Sequence, residues 1–217
     1  MKPFCSGNRA DVKLIQAIQG EDPPKTEINP FFFAAPVAPL IAARSEGRPL
    51  ELTRVLRSIE RMRARCDCLI VEGAGGLLSP LGEGFDAGTL IERLRGCDVV
   101  VVAPNRLGTI NHTLLTVEAL ASRVATRPVI VLMAQRASDP SAKSNAAFLR
   151  ERLAPVAVLA FPFLGGNASS VSVLIENTKR IKKTLAQLAD PDSFSPRSSR
   201  RRVTPRSGPA EKTKKDR

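Results

Sequence analysis

Four runs of almost unbroken apolar residues, each ending in a turn, restrict this chain more than any other feature. They are "DCLIVEGAGG" (67–76), "CDVVVVAPNRLG" (97–108), "PVIVLMAQ" (128–135) and "VAVLAFPFLGG" (156–166). A strand with one face in water alternates apolar and polar residues. These runs do not alternate, so as strands they must be buried on both faces. Amphipathic stretches lie between them: "DAGTLIERLRG" with Asp86 at the N-cap position, "INHTLLTVEALASRV" and "SNAAFLRERLAP". The alternation predicts one α/β domain with a mostly parallel sheet and helices on both faces. In such domains ligands sit at the carboxyl ends of the strands, where Glu72, Asn105, Gln135 and Pro162 fall.

The first third is less regular. "MKPFCSGNRAD" reads as a loop and "ADVKLIQAIQG" as a short helix stopped at Gly20. The stretch from Glu21 is Pro-rich and irregular, with a helix beginning after Pro36 or Pro39. "ELTRVLRSIERMRARC" places Leu52, Val55, Leu56 and Ile59 on one helical face. A last helix is expected over 170–189, which bounds the domain at 1–189. Residues 190–217 are rich in Ser, Pro and Arg and hold little to bury, so a disordered basic tail is expected there.

With nine Phe and no Trp or Tyr, the core is expected to be mostly aliphatic. No apolar run reaches the roughly 18 residues of a membrane helix, and no basic-then-apolar leader opens the chain, so the reading excludes a membrane span and takes the cytoplasm as location. Cys5, Cys66, Cys68 and Cys97 contain no C-x-x-C pair, and His112 is the only histidine. Reduced thiols rather than a zinc site follow. The tail carries nine Lys and Arg against four Asp and Glu, a net +5 of the chain's +12. It has no interleaved aromatics and follows no reader module, which argues against nucleic acid as partner.

Three stretches could carry chemistry. In "LIVEGAGG", Glu72 ends a strand where a carboxylate can hold magnesium, and Gly73, Ala74 and Gly75 let backbone N–H groups approach an anion. A plain turn with a solvated Glu72 explains the same residues. In "NRLGTINHTLLTVEAL", Asn111 is either near an anion at a helix start or a simple cap. In the opening stretch, Lys2, Ser6 and Asp11 suit a phosphate with its metal, or a surface ion pair.

Taken in order, "KPFCSG…D", "NPFFFAAPVAPLIAARSEGRPL", "VEGAGGLLSPL" and "VVAPNRLGTINHTLLTVEAL" resemble the dethiobiotin synthetase family of P-loop NTPases over roughly residues 2–166. The resemblance implies an ATP- and Mg2+-dependent ligase of biotin biosynthesis. Such an enzyme closes a cyclic urea from 7,8-diaminononanoate and carbon dioxide, and works as a homodimer. It implies Lys2 as catalytic lysine, Ser6 and Asn111 as diamine contacts, and Asp11 and Glu72 as carboxylates at the metal and nucleotide. Gly73, Ala74 and Gly75 would border the nucleotide. Gln135, Arg136, Pro162, Phe163 and Leu164 would read the adenine, with Gln135 where the family usually carries Asn. The family opens with a strand and a G-x-x-x-x-G-K-[ST] loop, and no such motif occurs in these 217 residues. The expectation is therefore a truncated version of a longer protein, inactive without that loop. The alternatives are a non-catalytic homologue that binds diamine or a full-length partner, and a nucleic-acid binder working through its tail.

Overall fold

The computed structural model describes residues 1–20, 22–124, 127–136, 139–165 and 170–189. The expected tail, 190–217, lies outside the described residues. In chain order the elements are β1 (Phe4–Ser6), α1 (Ala10–Gln19), α2 (Lys25–Ile28), β2 (Phe31–Phe33), α3 (Pro39–Ser45) and α4 (Leu52–Arg63). They continue as β3 (Pro80–Gly82), β4 (Phe85–Asp86), α5 (Ala87–Arg93), β5 (Val100–Asn105), α6 (Thr109–Ala121) and β6 (Val129–Ala134). The last are α7 (Ala142–Leu153), β7 (Val158–Phe161), α8 (Val171–Arg180) and α9 (Lys182–Ala189).

The α/β reading holds, and the pairing is mostly parallel. β5, β6 and β7 form one parallel sheet in that order, with Val100 opposite Val129 and Ile130 opposite Val158. β6 is the central strand, and its unbroken apolar run is explained by what covers each face. Ile130 and Leu132 pack with Ala103, Leu149 and Val158 under α6 and α7. Val131 points the other way, to Phe161, Ile181 and the leucines of α9. At β5 the covering thins, and Val100 and Val102 are 39% and 64% exposed.

Three readings of the first half are corrected. The opening stretch is not all loop: Phe4–Ser6 form β1, parallel to β2. The Pro-rich stretch read as irregular supplies β2 from "FFF". Both strands have three residues, too few for a period to be visible in the sequence. Third, "DCLIVEG" makes no strand ladder among the described residues. Met1 N donates to Ile70 O at 2.8 Å and Glu72 N donates to Met1 O at 2.9 Å, a single parallel bridge. Ile70 beyond it is 77% exposed.

Around β1 and β2 lies a second core of Phe4, Phe31, Phe33, Val55, Ile59, Leu81 and Phe85, closed by α3 and α4. The amphipathic reading of α4 is borne out, with Val55, Ile59 and Met62 buried. Asp86 caps α5 as its position suggested: its Oδ1 accepts from Thr89 N at 2.7 Å, and Arg123 donates to the same oxygen at 2.9 Å.

Candidate functional site

The site starts from a tight turn. Gly7 has φ +84° and donates its N–H to Phe33 O at 3.0 Å. A Cβ on Gly7 would stand 2.8 Å from the Pro36 Cβ, so both the backbone angle and the space demand glycine. Asn8 Oδ1 then accepts from Ala10 N at 3.0 Å, and α1 begins with Asp11 in its first turn. The chain has doubled back, so Asp11 faces the lysine nine residues earlier.

Lys2 is the centre of this arrangement. Its Nζ donates to Asp11 Oδ2 at 2.5 Å and to Glu72 Oε1 at 2.7 Å. The lysine side chain is only 14% exposed, whereas the two carboxylates are 61% and 53% exposed. Burial works to lower the Lys2 pKa, but the hydrogen bonds it donates to Asp11 and Glu72, with their negative charge, outweigh it and hold the ammonium above the ordinary lysine value. Burial pushes the neighbouring Cys5 thiol above its ordinary value. The structure thus joins three residues that the sequence spreads over seventy positions.

Two carboxylates clamped on one ammonium leave Asp11 Oδ1 and Glu72 Oε2 with no hydrogen-bond partner among the described residues. Among those residues no group of three His, Cys, Asp or Glu could cage a metal. The donor set suits Mg2+, which keeps several waters and takes one or two carboxylates together with phosphate oxygens. After Glu72 the turn tightens at Gly75, φ +77°, where a Cβ would meet Ser79 Oγ at 2.4 Å. Gly76 N donates to that hydroxyl at 2.8 Å, which fixes the turn. Gly73 and Gly75 are exposed and Ala74 half-buried.

The other predicted residues lie around the carboxyl ends of the strands. Ser6 ends β1, and its Oγ is buried with no partner among the described residues. Asn111 stands exposed on α6, whose N-cap is Gly108 with φ +90°, so Asn111 is not the cap. Among the described residues no hydrogen bond ties Asn111 to Lys2, Asp11 or Glu72. The remaining set follows two neighbouring strands: the β6–β7 ladder ends with Met133 opposite Phe161, and Gln135 and Phe163 each lie two residues beyond that pair. Gln135 Nε2 donates to Met133 O at 3.1 Å. Pro162 and Arg136 are exposed, Phe163 is 39% exposed, and Leu164 is half-buried.

Sequence reasoning missed three buried amides. Asn29 donates to Lys2 O and Pro3 O. Asn177 donates to Leu164 O at 2.9 Å and ties α8 to the stretch after β7. Asn145 donates to Asn105 Oδ1 at 2.9 Å and holds the turn before α6. Each is 4% exposed or less. A polar residue on an apolar helical face was the only available signal for Asn145 and Asn177, and Asn29 had none.

A family model described as an AAA domain matches residues 1–163. The ATP-dependent dethiobiotin synthetase BioD of Anaeromyxobacter dehalogenans strain 2CP-C is 43% identical over 154 residues, 68% of each chain. The BioD of Aromatoleum aromaticum is 40% identical over 131 residues, 57% of this chain and 58% of its own. That of Bacillus subtilis strain 168 is 35% identical over 179 residues, 80% of this chain and 77% of its own.

Proposed function

We propose, from the premise that the chain belongs to the ATP-dependent dethiobiotin synthetase family, that its Lys2 cluster works in closing a cyclic urea from 7,8-diaminononanoate and carbon dioxide at the expense of ATP. The observation that carries this reading is the Lys2 ammonium held between Asp11 and Glu72. One amine of the diamine adds to carbon dioxide, loses a proton and becomes a carbamate. Transfer of the γ-phosphoryl group to a carbamate oxygen gives a mixed anhydride and ADP. The second amine attacks the carbamate carbon, the carbon–oxygen bond to phosphate breaks, and a proton leaves the nitrogen as the ring closes.

Negative charge gathers between carbamate and γ-phosphate in the second step, and a fixed cation stabilises it without reorganising. Lys2 supplies that cation. It is held by carboxylates that can release it toward a more highly charged partner. Asp11 and Glu72 would also hold Mg2+, which would supply positive charge to offset that of the phosphates. Ser6 Oγ, buried and with no partner among the described residues, would bond a substrate nitrogen. Asn111 is its counterpart on α6, reached from a second subunit in a homodimer. Gln135 and Phe163 offer an amide and a ring face to the adenine, with Arg136, Pro162 and Leu164 around them. Gly73, Ala74 and Gly75 line the approach of the phosphates.

The second reading, a homologue that binds diamine or a full-length partner without turnover, is favoured by one fact. No G-x-x-x-x-G-K-[ST] loop occurs in the 217 residues, and such a loop supplies phosphate-binding N–H groups, a lysine and a metal-binding hydroxyl. ADP release with the diamine, bicarbonate and Mg-ATP separates the two. We expect none from the 217-residue chain and diamine-dependent release once a strand and P-loop precede Met1. Release independent of the diamine, or absent in the extended chain, would defeat the synthetase reading. Salt-sensitive DNA binding that disappears on cutting before Asp190 would instead favour the tail-driven nucleic-acid binder.

A further inference from the structure

The Lys2 ammonium can be fixed only as well as the backbone beneath it, and that backbone is poorly supplied with ladder bonds. Pro3 and Pro30 carry no N–H, so the parallel pairing of β1 with β2 is interrupted where Lys2 leaves it. Two main-chain bonds remain, Lys2 N to Ile28 O at 2.9 Å and Phe31 N to Pro3 O at 3.0 Å. Asn29 stands in this gap and is 1% exposed. Its Nδ2 carries two hydrogens and uses both, donating to Lys2 O at 2.9 Å and to Pro3 O at 3.1 Å. Its own N–H donates to Lys25 O at 2.9 Å, which anchors the residue to the last turn of α2. The Oδ1 is buried with no partner among the described residues. Turning the amide over would set that oxygen against two carbonyl oxygens, so only the observed orientation fits. A buried acceptor left unpaired is unfavourable, and an apolar residue would avoid it. The two donated bonds are what an asparagine adds here.

We infer that Asn29 is the positioning residue for Lys2, clamping the two consecutive carbonyls of Lys2 and Pro3, which flank the proline, so that the side chain rises between Asp11 and Glu72. Its catalytic meaning rests on the synthetase reading above; the clamp itself does not. Asn29 touches neither substrate nor reacting atoms and acts through Lys2 alone.

The test reads Lys2 directly. In the 217-residue chain, or in the chain extended by a P-loop segment if the shorter one gives no dispersed spectrum, 13C relaxation of the Lys2 ε-methylene is measured at one fixed pH. The signal is assigned by its loss in Lys2→Arg. We expect a restricted Lys2 in the parent protein. In Asn29→Ala it should become as mobile as the exposed Lys13, while core methyl signals such as those of Val131 and Leu132 stay in place. Asn29→Ser, with one donor, should fall between, and it decides the matter if Asn29→Ala does not fold. A Lys2 equally ordered in the variants overturns the proposal. In an extended chain that turns over, Asn29→Ala should lower kcat by about tenfold or more, with KM for Mg-ATP within about twofold. An unchanged kcat alongside a lower melting temperature would show a structural strut only. Lys2 loosening in a protein whose extended form never turns over would uphold the clamp and defeat the synthetase reading.

Discussion

A lysine between two carboxylates can be an inert surface bridge or a working cation, and at Lys2 burial separates the two. The side chain is 14% exposed while its partners stand in solvent. A surface pair would have both partners mobile and contribute little. The raised Lys2 pKa follows from its partners and not from its own surroundings, since burial alone would lower it. A raised lysine pKa means that the charged form is held through neutrality, and the interaction fades only as pH rises through the folded value. In a chain competent for turnover, loss of the Lys2 charge therefore adds no inflection to the pH–rate profile between pH 6 and pH 9. Lys2→Met should lower kcat by about a hundredfold or more, the scale for removing a preorganised charge from a developing anion. Lys2→Arg should retain part of the rate, because the charge survives on a wider, planar group. Steady-state kinetics on the three proteins checks both, and a Lys2→Met variant with parental kcat would remove Lys2 from the mechanism.

Among the elements, α5 states its own start in the sequence and the structure adds what the sequence could not show. Asp86 was legible as an N-cap, and its contact with Thr89 is local. Arg123, from the turn after α6, was not legible, because nothing in a linear pattern pairs positions 86 and 123. Burial pushes the Asp86 carboxyl up, but bonds from the Thr89 N–H and hydroxyl, together with Arg123, outweigh it and hold the pKa below the ordinary aspartate value. A depressed carboxyl pKa contributes stability above the ordinary value and loses it as pH falls through the folded one. Asp86→Ala should cost about 1 kcal/mol between pH 5 and pH 8, a difference that shrinks below about pH 4. Urea titrations at several pH values measure it, and a difference that grew on acidification would reverse the sign. The same contrast of local and distant information explains the rest of the reading. The unbroken apolar runs of β5 and β6 and the spacing of apolar residues in α4 and α6 are visible, so the α/β class, the end of β5 at Asn105 and the end of β6 just before Gln135 could be read. β1 and β2 are too short for that, and Leu69–Glu72 have the composition of a strand without its ladder. At the site, residue types drew attention to Lys2, Asp11 and Glu72. The bonds among them depend on the turn at Gly7 and the bridge at Met1, which are tertiary facts.

On the scale of the whole molecule, two of the buried clusters among the described residues differ in completeness. Around β6 the side chains of Ile130 and Leu132 are fully buried and Val131 nearly so. The second core, around Phe4, Phe31 and Phe33, is closed by α3, α4 and the β3–β4 hairpin. Ile70 on one side and Val100 and Val102 on the other remain large, apolar and exposed. Exposed singly, such residues need no explanation. Three of them on segments with strand composition mean that mutational cost should map burial directly and not residue type. Leu132→Ala removes a fully enclosed side chain and should cost about 2–5 kcal/mol, the range for buried leucines. Val102→Ala removes a methyl pair that already meets solvent, and should stay within about 0.5 kcal/mol. Ile70→Ala belongs with Val102. Denaturant unfolding of the 217-residue chain provides all three numbers on one scale. A loss at Val102 or Ile70 approaching that at Leu132 would mean that these side chains are covered in solution, in a contact the described residues do not contain.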